Sequence, residues 1–101
     1  MSNVIYYVSY KLKKDASIPE FLSAAQNLND VFISKQPGYH SWKQAVDGET
    51  WVDIITFNEM DDLDNFKKAS ENPSELALRF YSFINLNSCK EHHFKIERSY
   101  G

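Results

Sequence analysis

Two neighbouring runs of the sequence combine groups that could transfer protons with large aromatic side chains. His40 alternates with Trp42 in one run, and Trp51 alternates with Asp53 in the next. A half-buried Asp53 would have a raised proton affinity and could act as a base, and His40 could donate or accept a proton near neutral pH. The alternative is that both tryptophans are packing residues and that Asp53 only hydrogen-bonds an indole N–H or nearby backbone.

The pair Asp47-Gly48 separates these two runs and predicts a tight turn between antiparallel strands, Tyr39 to Val46 and Trp51 to Asn58, because both turn positions tolerate a positive φ. The resulting register predicts three cross-strand pairs: Gln44 with Trp51, Trp42 with Asp53, and His40 with Ile55. All six side chains would share one face of the hairpin with Phe57. A three-residue loop would change this register and the pairs with it.

Tyrosine hydroxyls and a second histidine complete the candidates for a binding pocket. Four tyrosines, Tyr6, Tyr7, Tyr10 and Tyr81, could supply hydroxyls, although tyrosine in strands usually packs. Adjacent strand residues point to opposite faces, so His92 and His93 cannot chelate one ion, and we predict no metal site. The candidate catalytic residues are therefore His40 and Asp53, and the candidate pocket residues are Tyr6, Trp42, Trp51, Tyr81 and His92.

The elements that position these residues alternate as strand, helix, strand, strand, helix and strand. Val4 to Leu12 is apolar on both faces, which indicates a central strand. Ser17-Ile18-Pro19-Glu20 begins a helix that ends before Pro37-Gly38. We further expect Asp61 to cap a short helix, a capping box at Asn72 to open another that reaches Ile84, and a last strand over Cys89 to Tyr100.

This βαββαβ order predicts a ferredoxin-like α+β fold, with a four-stranded antiparallel sheet whose central strands are the first and third. Both helical segments then cover one face of the sheet, yet the strands carry apolar residues on both faces. The other face needs a cover, and a second copy of the same sheet would make a dimeric α/β barrel. A different protein is the rival cover.

Composition narrows the class of protein. A chain of 101 residues suits a single domain spanning residues 1–101,. Its net charge of −3 gives no attraction to nucleic acid, and no apolar stretch approaches the ~20 residues of a membrane span. One cysteine and an N-terminus without a basic signal region favour a cytoplasmic protein.

Over nearly its whole length the chain resembles the dimeric α+β-barrel superfamily, particularly its antibiotic-biosynthesis-monooxygenase-like group. The resemblance is carried by the first strand VIYYVSYKL, by Gln36-Pro37-Gly38-Tyr39 after the first helix, and by the segment from Thr56 to Leu63 after the hairpin. It implies a homodimer with a pocket between sheet and helices. It also implies cofactor-independent oxygenation of aromatic or polyketide-like molecules as one activity of such proteins, so we expect no cofactor.

Two departures from that group leave the activity open. Related sequences commonly have a histidine late in the helix after the third strand, where this chain has Phe66 to Glu71 without one. They often have a tryptophan at the end of the third strand, where this chain has Phe57. The rival hypothesis is therefore a dimeric ligand-binding or stress-associated protein without catalysis. All three histidines lie in predicted strands, which disfavours the haem-degrading relatives.

Overall fold

The computed structural model describes residues 3–101 as a four-stranded sheet with helices on one face. The strands are β1 (Val4–Leu12), β2 (Tyr39–Asp47), β3 (Thr50–Phe57) and β4 (Ile84–Lys95). The helices are α1 (Ile18–Val31), α2 (Met60–Ala69) and α3 (Glu75–Ser82), with a 3-10 turn at Ile33–Lys35. The strand order is β2-β3-β1-β4 and every pairing is antiparallel. The ferredoxin-like α+β fold is confirmed, with the first and third strands at the centre.

The first strand and the first helix begin where the sequence predicts. β1 has the predicted bounds, and its inner face carries the buried residues Val4 and Tyr10. The Oγ atom of Ser17 accepts a hydrogen bond from the backbone N–H of Glu20 at 3.3 Å, which satisfies one free donor at the start of α1,.

Aromatic rings fill the space between the inner face of the sheet and the helices. Phe21 of α1 is fully buried, stacks on Phe80 of α3 at 5.2 Å, and meets the edge of Trp51 at 5.3 Å between ring centroids. The ring centroid of Phe57 of β3 lies 5.3 Å from that of Phe66 of α2. These contacts connect α1 and α2 directly to β3, and α3 through Phe21.

The hairpin between β2 and β3 has a different register from the predicted one. Asp47 pairs with Thr50, so the two loop residues are Gly48 and Glu49. Gly48 has a φ of +60°, and glycine at the first central position is the pattern of a type II′ turn. The three predicted cross-strand pairs are therefore wrong. The observed pairs include Gln44 with Asp53 and Trp42 with Ile55.

Helix starts and the last strand also differ from the sequence prediction. Glu59, rather than Asp61, is the N-cap of α2, and Ser74, rather than Asn72, caps α3. The helical spacing of apolar residues runs on to Ile84, but Ile84 pairs with Leu12 of β1 and begins β4. Strand pairing thus ends α3 at Ser82 and starts β4 five residues before Cys89.

The outer face of the sheet carries apolar side chains that no helix covers. Ile5 and Tyr7 of β1 lie there beside Ile54 of β3 and Phe94 of β4. Phe94 is 47% exposed, and its ring meets Tyr7 edge-on at 5.9 Å.

Within residues 3–101 the helices are all too short or too polar to span a lipid bilayer.

Candidate active site

A cavity of about 350 Å³ lies between the inner face of the sheet and the helices. Its walls are mostly apolar, and they include Leu28, Ile55, Phe66, Phe80 and Ile84. The polar or ionisable residues that line it are Tyr6, Tyr10, Trp42, Asp53, Tyr81, Cys89 and Glu91. A mostly apolar pocket with a few convergent polar groups is the usual form of a small-molecule site.

Asp53 of β3 is the buried ionisable group of this cavity, with only 6% of its surface exposed. Its Oδ1 atom accepts a hydrogen bond from the hydroxyl of Tyr10 at 2.8 Å and another from the amide of Gln44 at 3.3 Å. Burial raises the pKa of Asp53 to about 6, while the hydrogen bonds from Tyr10 and Gln44 and the nearby indole N–H of Trp42 oppose that rise,. The carboxylate is thus ionised at neutral pH and still basic enough to take a proton.

The indole N–H of Trp42 points to a missing partner beside Asp53. Its Nε1 atom is buried and has no hydrogen-bond partner among residues 3–101. The indole lies near enough to Asp53 to lower the pKa of that carboxyl, without making a hydrogen bond of normal geometry. Buried polar groups are nearly always paired, so this donor is available to a ligand in the cavity.

A second carboxylate, Glu91 of β4, lies where the cavity opens to solvent. Its Oε2 atom accepts a hydrogen bond from the hydroxyl of Tyr6 at 2.5 Å, and its Oε1 atom lies 2.7 Å from Nζ of Lys67. The hydrogen bonds from Lys67 and Tyr6 lower the pKa of Glu91. Burial is the main cause of the raised pKa of Tyr6, and the Glu91 carboxylate adds to it. Glu91 therefore remains charged.

The only cysteine of the chain also lines the cavity. Cys89 contributes its thiol from β4, and partial burial raises the pKa of that thiol, as do the nearby carboxylates. Tyr81 of α3 lies on the same cavity wall, and burial raises the pKa of its hydroxyl as well. Both groups are therefore protonated near neutral pH.

Four of the seven residues proposed from the sequence meet at this cavity: Tyr6, Trp42, Asp53 and Tyr81. Trp51 lies next to it in the core, packed on Phe21. A bulge between Tyr39 and Ser41 interrupts the alternation of β2, so His40 is exposed instead of facing the cavity. The ring of His40 forms a hydrogen bond with Asn58. His92 stacks on Phe94 on the outer face of the sheet, 5.3 Å between ring centroids. The structure therefore brings neither His40 nor His92 to the cavity.

Five residues of the site were not among those candidates: Tyr10, Gln44, Lys67, Cys89 and Glu91. Gln44 was placed on the correct face, but its bond to Asp53 depends on the true register of the hairpin. Glu91 and His92 are adjacent in a strand, so the sequence could show only that their side chains lie on opposite faces of the sheet. Its pairing with Val8 of β1 decides that Glu91 faces inward. Lys67 reaches Glu91 from α2 across a distance of 24 residues in sequence.

The arrangement supplies a base, one free hydrogen-bond donor and an apolar space. Asp53 can accept a proton and Trp42 can donate to an oxygen atom near it, whereas the Tyr10 hydroxyl already donates to Asp53. No group of three or more His, Cys, Asp or Glu side chains in residues 3–101 is placed to hold a metal ion. The geometry therefore suits proton transfer from a small, mostly apolar molecule.

The fold class defined by this sheet and its helices is found in many solved structures. A mutant of SnoaB, a cofactor-independent oxygenase from Streptomyces nogalater, aligns over 96% of this chain and 95% of its own, with a TM-score of 0.73 and 16% identity. A conserved protein from Methanosarcina mazei aligns over 93% of this chain and 92% of its own, with a TM-score of 0.68 and 11% identity.

A third similar structure contains a bound ligand. It is the monooxygenase from the gene ActVA-Orf6 of Streptomyces coelicolor in complex with nanaomycin D. It aligns over 97% of this chain and 90% of its own, with a TM-score of 0.73 and 13% identity. No protein-family model matches the sequence, and no curated protein matches it either. The likeness to known proteins is thus one of fold, shared with antibiotic-biosynthesis-monooxygenase-like structures.

Proposed function

We propose that this protein is a cofactor-independent monooxygenase that oxidises a small hydroxylated aromatic molecule to a quinone, with Asp53 as the general base. The observation that carries the proposal is a buried carboxylate whose pKa is raised to about 6 inside a mostly apolar, aromatic-lined cavity. Strongly perturbed titratable groups in clefts are candidates for catalysis. The fold likeness to an oxygenase and to a ligand-bound monooxygenase supports the same activity.

The cavity would hold the substrate by its flat face and by its hydroxyl group. Phe66, Phe80 and Tyr81 offer rings against which an aromatic molecule can stack,. A phenolic hydroxyl can donate to Asp53 and at the same time accept from the unpartnered N–H of Trp42. Such a group satisfies both protein atoms, whereas a hydrocarbon satisfies neither.

The reaction would draw its electrons from the substrate itself. Asp53 removes the hydroxyl proton, and the resulting anion has carbanion character at the ring carbon opposite the oxygen. That carbon forms a bond to dioxygen, which takes up two electrons and becomes a hydroperoxide after it gains a proton. Loss of the ring-carbon hydrogen and cleavage of the O–O bond release water and leave a carbonyl. One oxygen atom thus enters the quinone and the other enters water.

We also propose that two copies of the chain associate through the outer face of the sheet. Ile5, Tyr7, Ile54 and Phe94 form an apolar surface there that the helices leave uncovered. Burying such a surface against its own copy is favourable at about 25 cal/mol per Å² of apolar area. Analytical ultracentrifugation should give a dimer, and Phe94→Lys should shift it towards the monomer. A wild-type monomer at high protein concentration would contradict this part of the proposal.

A substrate test with a matched control decides the catalytic proposal. With 1-naphthol, oxygen uptake and formation of 1,4-naphthoquinone should be equal in amount. Asp53→Asn should lower kcat/KM about a hundredfold or more, because a general base contributes 10²–10⁴-fold. Asp47→Asn alters an exposed carboxylate of the hairpin and should leave the rate unchanged.

The outcome also separates the rival function. A non-catalytic ligand-binding protein is favoured by the absence of any histidine among the described residues that line the cavity. That function predicts that hydroxylated aromatics bind without oxygen uptake. No uptake across a panel of naphthols and quinols, or equal rates in wild type and Asp53→Asn, would overturn the proposed oxygenase.

A further inference from the structure

The register of the sheet places two carboxylates in one row across the floor of the cavity. Val8 of β1 pairs with Asp53 of β3 on one side and with Glu91 of β4 on the other. Directly paired residues of antiparallel strands point to the same face, and both carboxylates line the cavity,. Their Cα atoms are separated by two strand spacings, roughly 10 Å.

The two tyrosines beside Val8 repeat the same contact at each end of this row. Tyr10 donates its hydroxyl hydrogen to Asp53 at 2.8 Å, and Tyr6 donates its own to Glu91 at 2.5 Å. Asp53 is buried, whereas the Glu91 side chain is 45% exposed. The cavity therefore has a deep polar end and an outer polar end, with the apolar side chain of Val8 between them.

Glu91 has unused capacity to accept hydrogen bonds. A carboxylate has about four lone-pair sites, and Glu91 uses one oxygen for Tyr6 and the other for Lys67. These two contacts come from different elements and hold the carboxylate at the cavity. Lys67 also lies 5.9 Å from the centroid of the Tyr6 ring. A charged acceptor fixed in this way is suited to recognise a donor on a ligand.

Building on the proposed function, we propose that Glu91 is a specificity-determining residue that accepts a hydrogen bond from a second hydroxyl at the far end of the substrate. The substrate class is then a flat fused-ring aromatic with hydroxyl groups at opposite ends. One hydroxyl contacts Asp53 and Trp42, the rings lie over Val8, and the other hydroxyl contacts Glu91. Tyr6 and Lys67 act as positioning residues because they hold the Glu91 carboxylate.

Anaerobic binding measurements test this inference apart from turnover. Tryptophan fluorescence would follow titration with 1-naphthol, 1,5-dihydroxynaphthalene and 5-methoxy-1-naphthol. Wild type should bind the diol about tenfold more tightly than 1-naphthol, since one charge-assisted hydrogen bond is gained. The methoxy compound should show no such gain, because it cannot donate.

Substitutions at Glu91 should remove this preference in a graded manner. The ratio of the two Kd values should fall to within about twofold in Glu91→Ala, and to about threefold in Glu91→Gln, which keeps a neutral acceptor. The Kd for 1-naphthol should not change. Glu97→Ala, at an exposed position just beyond β4, is the matched control and should retain the tenfold preference. Circular dichroism would verify that each variant is folded.

The outcomes distinguish this inference from the proposed function. Equal affinity of wild type for the diol and 1-naphthol, or a preference that survives in folded Glu91→Ala, would overturn the role of Glu91 alone. If wild type bound none of the three compounds, the proposed function and this inference would both be overturned. Loss of the preference in folded Glu91→Ala, together with 1-naphthol oxidation by the wild type, would support both.

Discussion

The cavity contains the same chemical contact twice, a tyrosine hydroxyl donating to a carboxylate, in two different environments. At the deep end, Tyr10 donates to Asp53, and burial raises the pKa of Asp53 to about 6. At the outer end, Tyr6 donates to Glu91, whose pKa is lowered by its hydrogen bonds to Lys67 and Tyr6. A hydrogen bond from tyrosine therefore does not decide the proton affinity of a carboxylate by itself.

What differs between the two pairs is the access of water and the presence of a cation. Asp53 loses its hydration and has only neutral donors in return, so its charged form is disfavoured. Glu91 keeps much of its hydration and gains the ammonium group of Lys67. Two carboxylates with opposite pKa shifts in one cavity can take separate roles, one in proton transfer and one in recognition.

The largest expected effect is on the pH dependence of turnover. Only ionised Asp53 can act as the base, so kcat/KM with 1-naphthol should rise through about pH 6 and level off above it. At pH 4 the value should be about a hundredfold below that at pH 8, tenfold for each pH unit below the pKa. Glu91→Gln should leave the midpoint unchanged. A profile that is flat from pH 5 to pH 8 would contradict the comparison.

Next in size is the effect of Asp53 on stability. Its pKa in the folded protein is raised from 3.8 to about 6, so protonation stabilises the fold at low pH and that stabilisation is lost as pH rises through 6. The difference in free energy of unfolding between wild type and Asp53→Asn should therefore be about 2–3 kcal/mol smaller at pH 4 than at pH 7. Urea denaturation at one protein concentration measures it. Parallel curves for the two proteins would contradict the raised pKa.

A smaller effect should follow from removal of one tyrosine hydroxyl. Tyr10→Phe deletes a hydrogen bond that lowers the pKa of Asp53, so the midpoint of the pH–rate profile should move up by about one unit or less. Tyr6→Phe is the matched control, because it removes the equivalent hydroxyl from Glu91 and should not move this midpoint. A downward shift in Tyr10→Phe would show that the hydroxyl acts otherwise.

The smallest effect is expected at the outer pair. Lys67→Ala should reduce the free energy of unfolding at neutral pH by less than about 1 kcal/mol, because the ion pair with Glu91 is partly exposed and screened,. Because the pKa of Glu91 is lowered, the ion pair stabilises the fold at pH values above the usual pKa of a glutamate,. This stabilisation is lost as the pH falls through the lowered pKa. The urea denaturation curves of wild type and variant should be separated in low salt and should converge in high salt. A loss of several kcal/mol would place this pair in the core instead.

The sequence predicted those parts of the fold that depend on local patterns. The alternation in Val4–Leu12 and the Ser17 cap were enough to locate β1 and the start of α1. The predicted register of the hairpin was wrong because Asp47-Gly48 has the composition of the two central residues of a tight turn. In the structure Gly48 is instead the first central residue of a type II′ turn. The register moved by two residues, so the side chains beyond the bulge at His40 kept their faces and Asp53 remained next to Trp42.

The sequence did not predict which residues lie at the cavity where a local irregularity or a distant partner decides their position. A bulge in β2 removes His40 from the face that alternation assigns to it, and no residue type near His40 signals that bulge. Glu91 joins the site only because β4 pairs with β1 in one register and Lys67 approaches from α2. Such contacts arise from tertiary structure, which single-sequence periodicity does not contain.

The position of the sole sulfhydryl has a chemical consequence for an enzyme that makes quinones. Quinones are electrophiles that alkylate thiolates, and Cys89 lines the space in which such a product would form. The thiolate is the reactive species, and partial burial together with nearby negative charge raises the pKa of this group,. At neutral pH Cys89 is therefore mostly protonated, which would slow alkylation of Cys89 by the quinone of the proposed reaction, whereas alkaline pH would favour that alkylation.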